Sequence, residues 1–394
     1  MTKRIDISKP AVSIRSEIAT LKKPSGIAGE AMLRAETPQE QFNLIGAGRK
    51  NLIINGDMRI AQRATSHTTI SDYTLDRWKF QTDALDNYAH TVTQSTDAPP
   101  GFFNSLKIEV TTTESAIASD EDLAVATYIE ARDCQALAVG SASAKPLSAS
   151  FWVKSSKGGI FSVSLTALDN TVKIFSTTYT VNVANTWEYK TISIPPLSGG
   201  TTINNDNGEG LTLRFPTIVG SGFAGTPAAG WASYASSLWG AGHEAQIDTD
   251  GDTWQLTGVQ LEVGTVATPF EYRSYGEELA LCQRYYQKFG GGASYGVLSE
   301  FGVAKSATVV TATTSLFVPM RIAPDVSTND IQVADGVNSA IDCTSTAISG
   351  GTHTNVLAHI EYTVSSGLTI YRPYYVRNSN NTSGYVAFDA ELPD

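Results

Sequence analysis

Between Asn51 and about Tyr275 apolar and polar residues alternate in short runs, and no stretch there carries helical spacing. Leu106, Ile108 and Val110 alternate with Lys107 and Glu109, and Leu211, Leu213 and Phe215 alternate with Thr212 and Arg214. Phe161-Val163-Leu165, Trp187-Tyr189 and Gln255-Thr257 keep the same period. Turn-forming clusters divide the runs, among them Asp97-Ala98-Pro99-Pro100-Gly101, Lys157-Gly158-Gly159 and Asn204-Asn205-Asp206-Asn207-Gly208. A period of two puts one face of each strand in a core and the other in water, and about ten such strands without intervening helices predict an antiparallel sandwich of jelly-roll type.

The flanks read differently. Residues 1–50 carry a short helical pattern at Ile14, Ile18 and Leu21. A second follows, capped by Thr37, started by Pro38, boxed by Glu40 and ended by Gly46. Two helices this short bury no core of their own, which predicts an arm or stem ordered by partners, with a disordered tail as the alternative. Glu277 to Phe289 predicts a connecting helix with Leu281, Tyr285 and Phe289 on one face, stopped by Gly290-Gly291-Gly292. Residues 293–394 return to strand character. The expected chain is therefore mainly all-β: an arm over 1–50, a jelly roll over 51–275, a helix and glycine hinge over 276–292, and a smaller β-sandwich over 293–394.

Composition narrows the function. With 28 Lys and Arg against 39 Asp and Glu, a formal charge of −11 disfavours nucleic acid. No signal sequence or membrane-crossing apolar run is visible, so a soluble protein made in the cytoplasm is expected. Cys134, Cys282 and Cys343 have neither metal-ligand spacing nor nearby histidines and read as buried thiols. Gly220 to Gly225 matches a dinucleotide fingerprint, but Thr226-Pro227 cannot open the helix that the motif needs. Gly292-Ala293-Ser294-Tyr295-Gly296 has its helix before the serine, the reverse of a nucleophile elbow. His353 and His359 lack a third metal ligand. No catalytic constellation can be assembled from local motifs, so no enzyme is expected, although a carboxylate pair distant in sequence would be invisible.

Three clusters remain. Asp248, Asp250 and Asp252 surround Gly251 and could converge on Ca²⁺, the one cofactor considered, with an Asp-Gly turn as the plainer reading. Trp231, Tyr234 and Trp239 could stack on sugars or anchor a long loop. Tyr371, Tyr374, Tyr375, Arg377 and Asn378 combine aromatic, cationic and amide groups as recognition surfaces do, and are the candidate receptor- or glycan-binding residues.

The run from Gly46 to Met58 (GAGRKNLIINGDM), followed by Leu75-Asp76-Arg77-Trp78, resembles the opening of a family of bacteriophage tail-fibre and virion appendage proteins. Leu256 to Gly264, Ala267 to Arg273 and Glu278 to Tyr286 resemble the close of the same carbohydrate-binding-module-like jelly roll, and Phe317 to Pro324 resembles a strand of its distal β-domain. The resemblance implies a structural virion protein that mediates adsorption. It implies a homotrimer, attached through residues 1–50 to other tail or virion proteins and contacting a host-surface glycan or protein. Asn51, Asp57, Asp76, Arg77 and Trp78 would then be framework. A depolymerase-type tailspike and a non-viral carbohydrate-binding module are the alternatives.

Overall fold

The computed structural model describes residues 49–68, 72–349 and 354–392. The predicted arm lies outside them apart from Arg49 and Lys50, as does His353. The first part of the chain supplies β1 (Ser66–His67), β2 (Lys79–Asp83), β3 (Ala89–Ser95), β4 (Ser105–Thr112), β5 (Asp122–Glu130) and β6 (Leu147–Ser155). It continues through β7 (Gly159–Ala167), β8 (Lys173–Val181), β9 (Glu188–Ile194), β10 (Glu209–Val219), β11 (Ala232–Ser233) and β12 (Thr253–Val263). Among the described residues these form two six-stranded sheets, ordered β1-β3-β4-β12-β6-β9 and β11-β8-β7-β10-β5-β2.

The alternation sets the packing. Leu106, Ile108, Phe151, Val153 and Trp254 from the first sheet meet Phe161, Leu165, Leu211, Leu213 and Phe215 from the second in one buried core. The pattern fails informatively in β5, where every residue is buried. The outer face of the second sheet is therefore covered too, by the loop over 220–245 and by the end of the chain.

The resembling N-terminal block is framework, as expected. Asn51 accepts the amides of Ile53 and Leu261 and donates to the Val259 carbonyl. Asn55 donates to the carbonyls of Ile60 and Asp76, and Trp78 Nε1 donates to the Asn55 carbonyl at 2.9 Å. Gly56 has no substitute, because a Cβ there would lie 2.2 Å from the Val259 carbonyl oxygen.

The connecting helix is shorter than its sequence predicts. It spans α1 (Tyr275–Gln283), with Ser274 as its N-cap, and the chain then becomes the strand β13 (Tyr286–Gly290). The reason is tertiary: β13 pairs along its whole length with the strand Tyr385–Asp389, which removes Phe289 from the helix and stacks it on Phe317 at 4.4 Å. The remaining strands are β14 (Val297–Ala304), β15 (Val309–Ser315), β16 (Asp325–Asn329), β17 (Ile331–Ala334), β18 (Ile341–Ile348), β19 (Leu357–Val364), β20 (Pro373–Asn378) and β21 (Tyr385–Asp389). β14-β15-β19-β18-β17-β20 close into a barrel, and β13-β21-β16 form a separate sheet. The smaller unit is thus all β, as expected, but closed on itself.

The end of the chain ties the two parts together. The Glu391 carboxylate pairs with Arg77 and Arg63, and the Tyr73 hydroxyl donates to the Leu392 carbonyl. Leu392 packs with Tyr73, Ala126, Tyr128 and Tyr285. Arg321 donates to the carbonyls of Ala390 and Glu391, each at 2.8 Å, fixing the backbone that carries these groups.

Candidate functional site

The residues expected at the distal tip separate when folded. Tyr371 is 85% exposed on a turn, whereas Tyr374 is buried and its hydroxyl accepts the Thr369 amide at 3.0 Å. Asn378 is also buried, donating through Nδ2 to the Ala293 carbonyl at 2.8 Å. The alternation of β20 explains this, since Tyr374, Val376 and Asn378 point into the barrel and Tyr375 and Arg377 point out. Arg377 lies 4.8 Å from the Tyr295 ring centroid. Tyr374 and Asn378 therefore support the barrel and do not present to a receptor; Tyr371, Tyr375 and Arg377 keep an outward position.

The aspartate cluster already has a cation. Lys157 Nζ lies 2.8 Å from Asp248 Oδ1 and 2.6 Å from Asp252 Oδ2, while the Asp250 amide donates to Thr113 Oγ1. Lys157 thus offsets part of the negative charge of Asp248 and Asp252. Asp86, Glu114 and Glu121 bring carboxylate oxygens within 4.8 Å of one another and have the donor chemistry for a hard cation. They also accept local amides: Glu114 those of Asn87 and Ala116, and Glu121 that of Ala118.

The nucleotide and nucleophile motifs stay silent. Gly220, Gly222 and Gly225 spend their amides on the carbonyls of Glu121, Ser119 and Ser237, so none faces a phosphate. Ser294 sits in a turn between β13 and β14 with no helix after it.

The strongest site lies on the outer face of the second sheet, in a groove of about 200 Å³. Its floor follows from strand register: Thr212 of β10 stands opposite Tyr128 of β5 and Thr166 of β7, and Arg214 stands opposite Ser164. Glu209 and Gln81 close its sides, and Tyr234 and Trp239 from the covering loop form its wall. Of the three aromatics singled out in that loop, Trp231 is an anchor, donating through Nε1 to the Pro195 carbonyl and packing on Phe175. Trp239 is held between Arg214, 3.7 Å from its centroid, and Phe223. Tyr234, 43% exposed, is the ring left open to a ligand.

The groove's polar groups are set for recognition. Arg214 Nη2 lies 2.6 Å from Asp122 Oδ2, while its Nε and Nη1 are buried without an acceptor. Burial pushes the Glu209 carboxyl up to about 7, against the lowering effect of the Thr212 hydroxyl and the more distant Lys79. Gln81 Nε2 donates to the Tyr128 hydroxyl, orienting it at the groove edge. Flat rings beside paired donors and acceptors suit the apolar faces and hydroxyls of a sugar. Sequence reasoning had Tyr234 and Trp239 but not Glu209, Thr212 or Arg214, whose alternation on β10 reads as an ordinary wet strand face.

No family model matches the chain, and no curated protein matches it. Three of the solved structures it is similar to can be described. One is the enzymatically active domain of tailspike protein 4 of bacteriophage CBA120, at 15% identity over 54% of this chain and 21% of that one, with a TM-score of 0.29. The chain thus spans about one fifth of that tailspike. Another is a family 11 carbohydrate-binding module of a Clostridium thermocellum cellulase, at 11% identity over 51% of this chain and 96% of that one, with a TM-score of 0.27. A third is a family 22 xylan-binding domain from Paenibacillus barcinonensis, at 8% identity over 56% of this chain and 100% of that one, with a TM-score of 0.27.

Proposed function

We propose that the chain is a glycan-binding fibre protein of a bacteriophage virion, which adsorbs to the host surface through the groove on the second sheet. The observation that carries glycan binding is the convergence of Glu209, Thr212 and Arg214 with Tyr128 and Tyr234 in one concave site. The virion role rests on the resemblance of residues 46–58, 75–78 and 256–286 to tail-fibre proteins, whose trimeric state and N-terminal attachment through residues 1–50 are part of the same proposal. Binding of purified protein to host surface polysaccharide, measured by calorimetry, tests it. Tyr234→Ala with Thr212→Ala should weaken binding at least tenfold, and unchanged affinity would remove the groove from consideration.

One observation favours a depolymerase as a second reading: Glu209, held near 7, has the protonation that a glycosidase acid requires. Its necessary partner is missing from the groove lining, because Asp122 is committed to Arg214. New reducing ends released from host polysaccharide by the parent, and not by Glu209→Gln, would replace the binding reading with the enzymatic one.

A further inference from the structure

The first sheet carries a feature on its own outer face, on the opposite side of the sandwich from the groove. Trp152 of β6 points outward opposite Tyr189 of β9, with ring centroids 5.4 Å apart. On its other side Trp152 stands opposite Thr257 of β12, immediately before a bulge. The bulge places Gly258 at φ +61°, and a Cβ there would lie 2.7 Å from Phe102 Cζ and 3.1 Å from Trp152 Cδ1. The absent side chain lets the two rings converge over the strand. Phe102 in turn belongs to a three-ring cluster, 5.1 Å from Phe270 and 5.7 Å from Tyr272, with Phe270 and Tyr272 5.0 Å apart. Tyr189 is 45% and Tyr272 59% exposed, so both ends of this belt are open.

The neighbouring charges are self-neutralised. Lys154 pairs with Asp97 at 2.7 Å, Lys107 with Glu109 at 2.6 Å, and Lys190 with Glu188 at 2.6 Å. Asp97 also accepts from Trp187 Nε1 and Gln255 Nε2, which adds fixed polar groups beside the rings. Of the strand neighbours on this face Thr191 is exposed, whereas Thr257 and Ser150 are small, hydroxylated and almost fully covered.

We propose that this belt is a second glycan-binding surface, for a neutral polysaccharide chain laid across the strands. The Trp152–Tyr189 pair and the Phe102 cluster meet over Gly258 as one aromatic surface, and the internally paired charges leave no net attraction for an anionic polymer. A charged polymer would be served by unpaired charge, which the ion pairs beside the rings do not offer. The proposal uses none of the groove residues and stands independently of the groove. Two faces on one sandwich would raise avidity for a polymer long enough to reach both, or for two neighbouring chains.

The test is affinity electrophoresis of the full chain in native gels containing laminarin, xylan, dextran or mannan, with alginate as the acidic comparison. We expect retardation by at least one neutral polysaccharide and none by alginate. Trp152→Ala combined with Tyr189→Ala should weaken that retention by about tenfold or more, while Tyr234→Ala with Thr212→Ala leaves it in place. Should the Trp152 variant fail to fold, Tyr189→Ala with Tyr272→Ala, both exposed, carries the test. The proposal is overturned if no neutral polysaccharide retards the parent, if the belt variants are retarded equally, or if the groove variants alone abolish retention. It is also overturned if the belt variants instead lower the sedimenting mass, which would make the belt an interface between copies of the chain.

Discussion

At the scale of single residues, the groove and its support are set by groups whose environment the sequence does not display. Glu209 is a turn-proximal glutamate in the sequence and a half-buried carboxyl in the fold, its pKa pushed up to about 7 by desolvation. Because its folded value lies above its unfolded one, the protonated form stabilises the fold at low pH, and that contribution is lost as pH rises from about 4.5 through 7. Over this range Glu209→Gln should flatten the fall in stability, an effect on the order of 3 kcal/mol, read as the difference between variant and parent in urea unfolding. Gly56 makes a steric prediction. Gly56→Ala forces a Cβ against the Val259 carbonyl and should cost about 2 kcal/mol or more, seen as a lower urea midpoint.

Elements show where local pattern and tertiary pairing disagree. The predicted helix ends after Gln283 since Tyr286 to Gly290 gains a ladder with Tyr385 to Asp389. Propensity is a weak prior, and residues with aromatic rings and alternating polarity suit either state. Ser274 caps what remains, accepting the Glu277 amide at 3.4 Å, so Ser274→Ala should cost about 1 kcal/mol or less, measured by thermal unfolding. The covering loop is held by His243, whose Nδ1 accepts the Ser162 amide at 3.1 Å. Burial pulls its pKa down to about 4, so this contribution is present above the unfolded value of 6.5 and lost as pH falls toward 4. His243→Asn should flatten that acid limb in a Tm-against-pH series. Glu209 slopes the other way over the overlapping window, so the two are separable only by single variants. The candidate tip illustrates a limit at this scale: composition grouped Tyr371, Tyr374, Tyr375, Arg377 and Asn378, and the two faces of β20 then divided the last four while Tyr371 stayed on a turn.

For the whole molecule the decisive contact is the buried latch of Arg77, Arg63 and Glu391. Arg77 is almost fully enclosed, with its guanidinium 3.5 Å from the Tyr285 ring centroid. Glu391→Ala would leave that charge without its carboxylate and should cost roughly 3–5 kcal/mol. Calorimetry should then resolve separate unfolding of barrel and sandwich where the parent unfolds once. The sequence by itself determined the strand-rich class, the two-faced strands of the sandwich and the failure of the nucleotide and nucleophile motifs, because each follows from local spacing and turn chemistry. Tertiary structure alone decided which wet faces became sites. Arg214 becomes a groove residue only when the covering loop lays Trp239 on it, and Phe102 and Trp152 become neighbours only across a bulge at Gly258. It also decided that Lys157 pairs with Asp248 and Asp252 and that Glu391 reaches Arg77 across more than three hundred residues. Such contacts depend on register and long-range closure, which local periodicity does not encode.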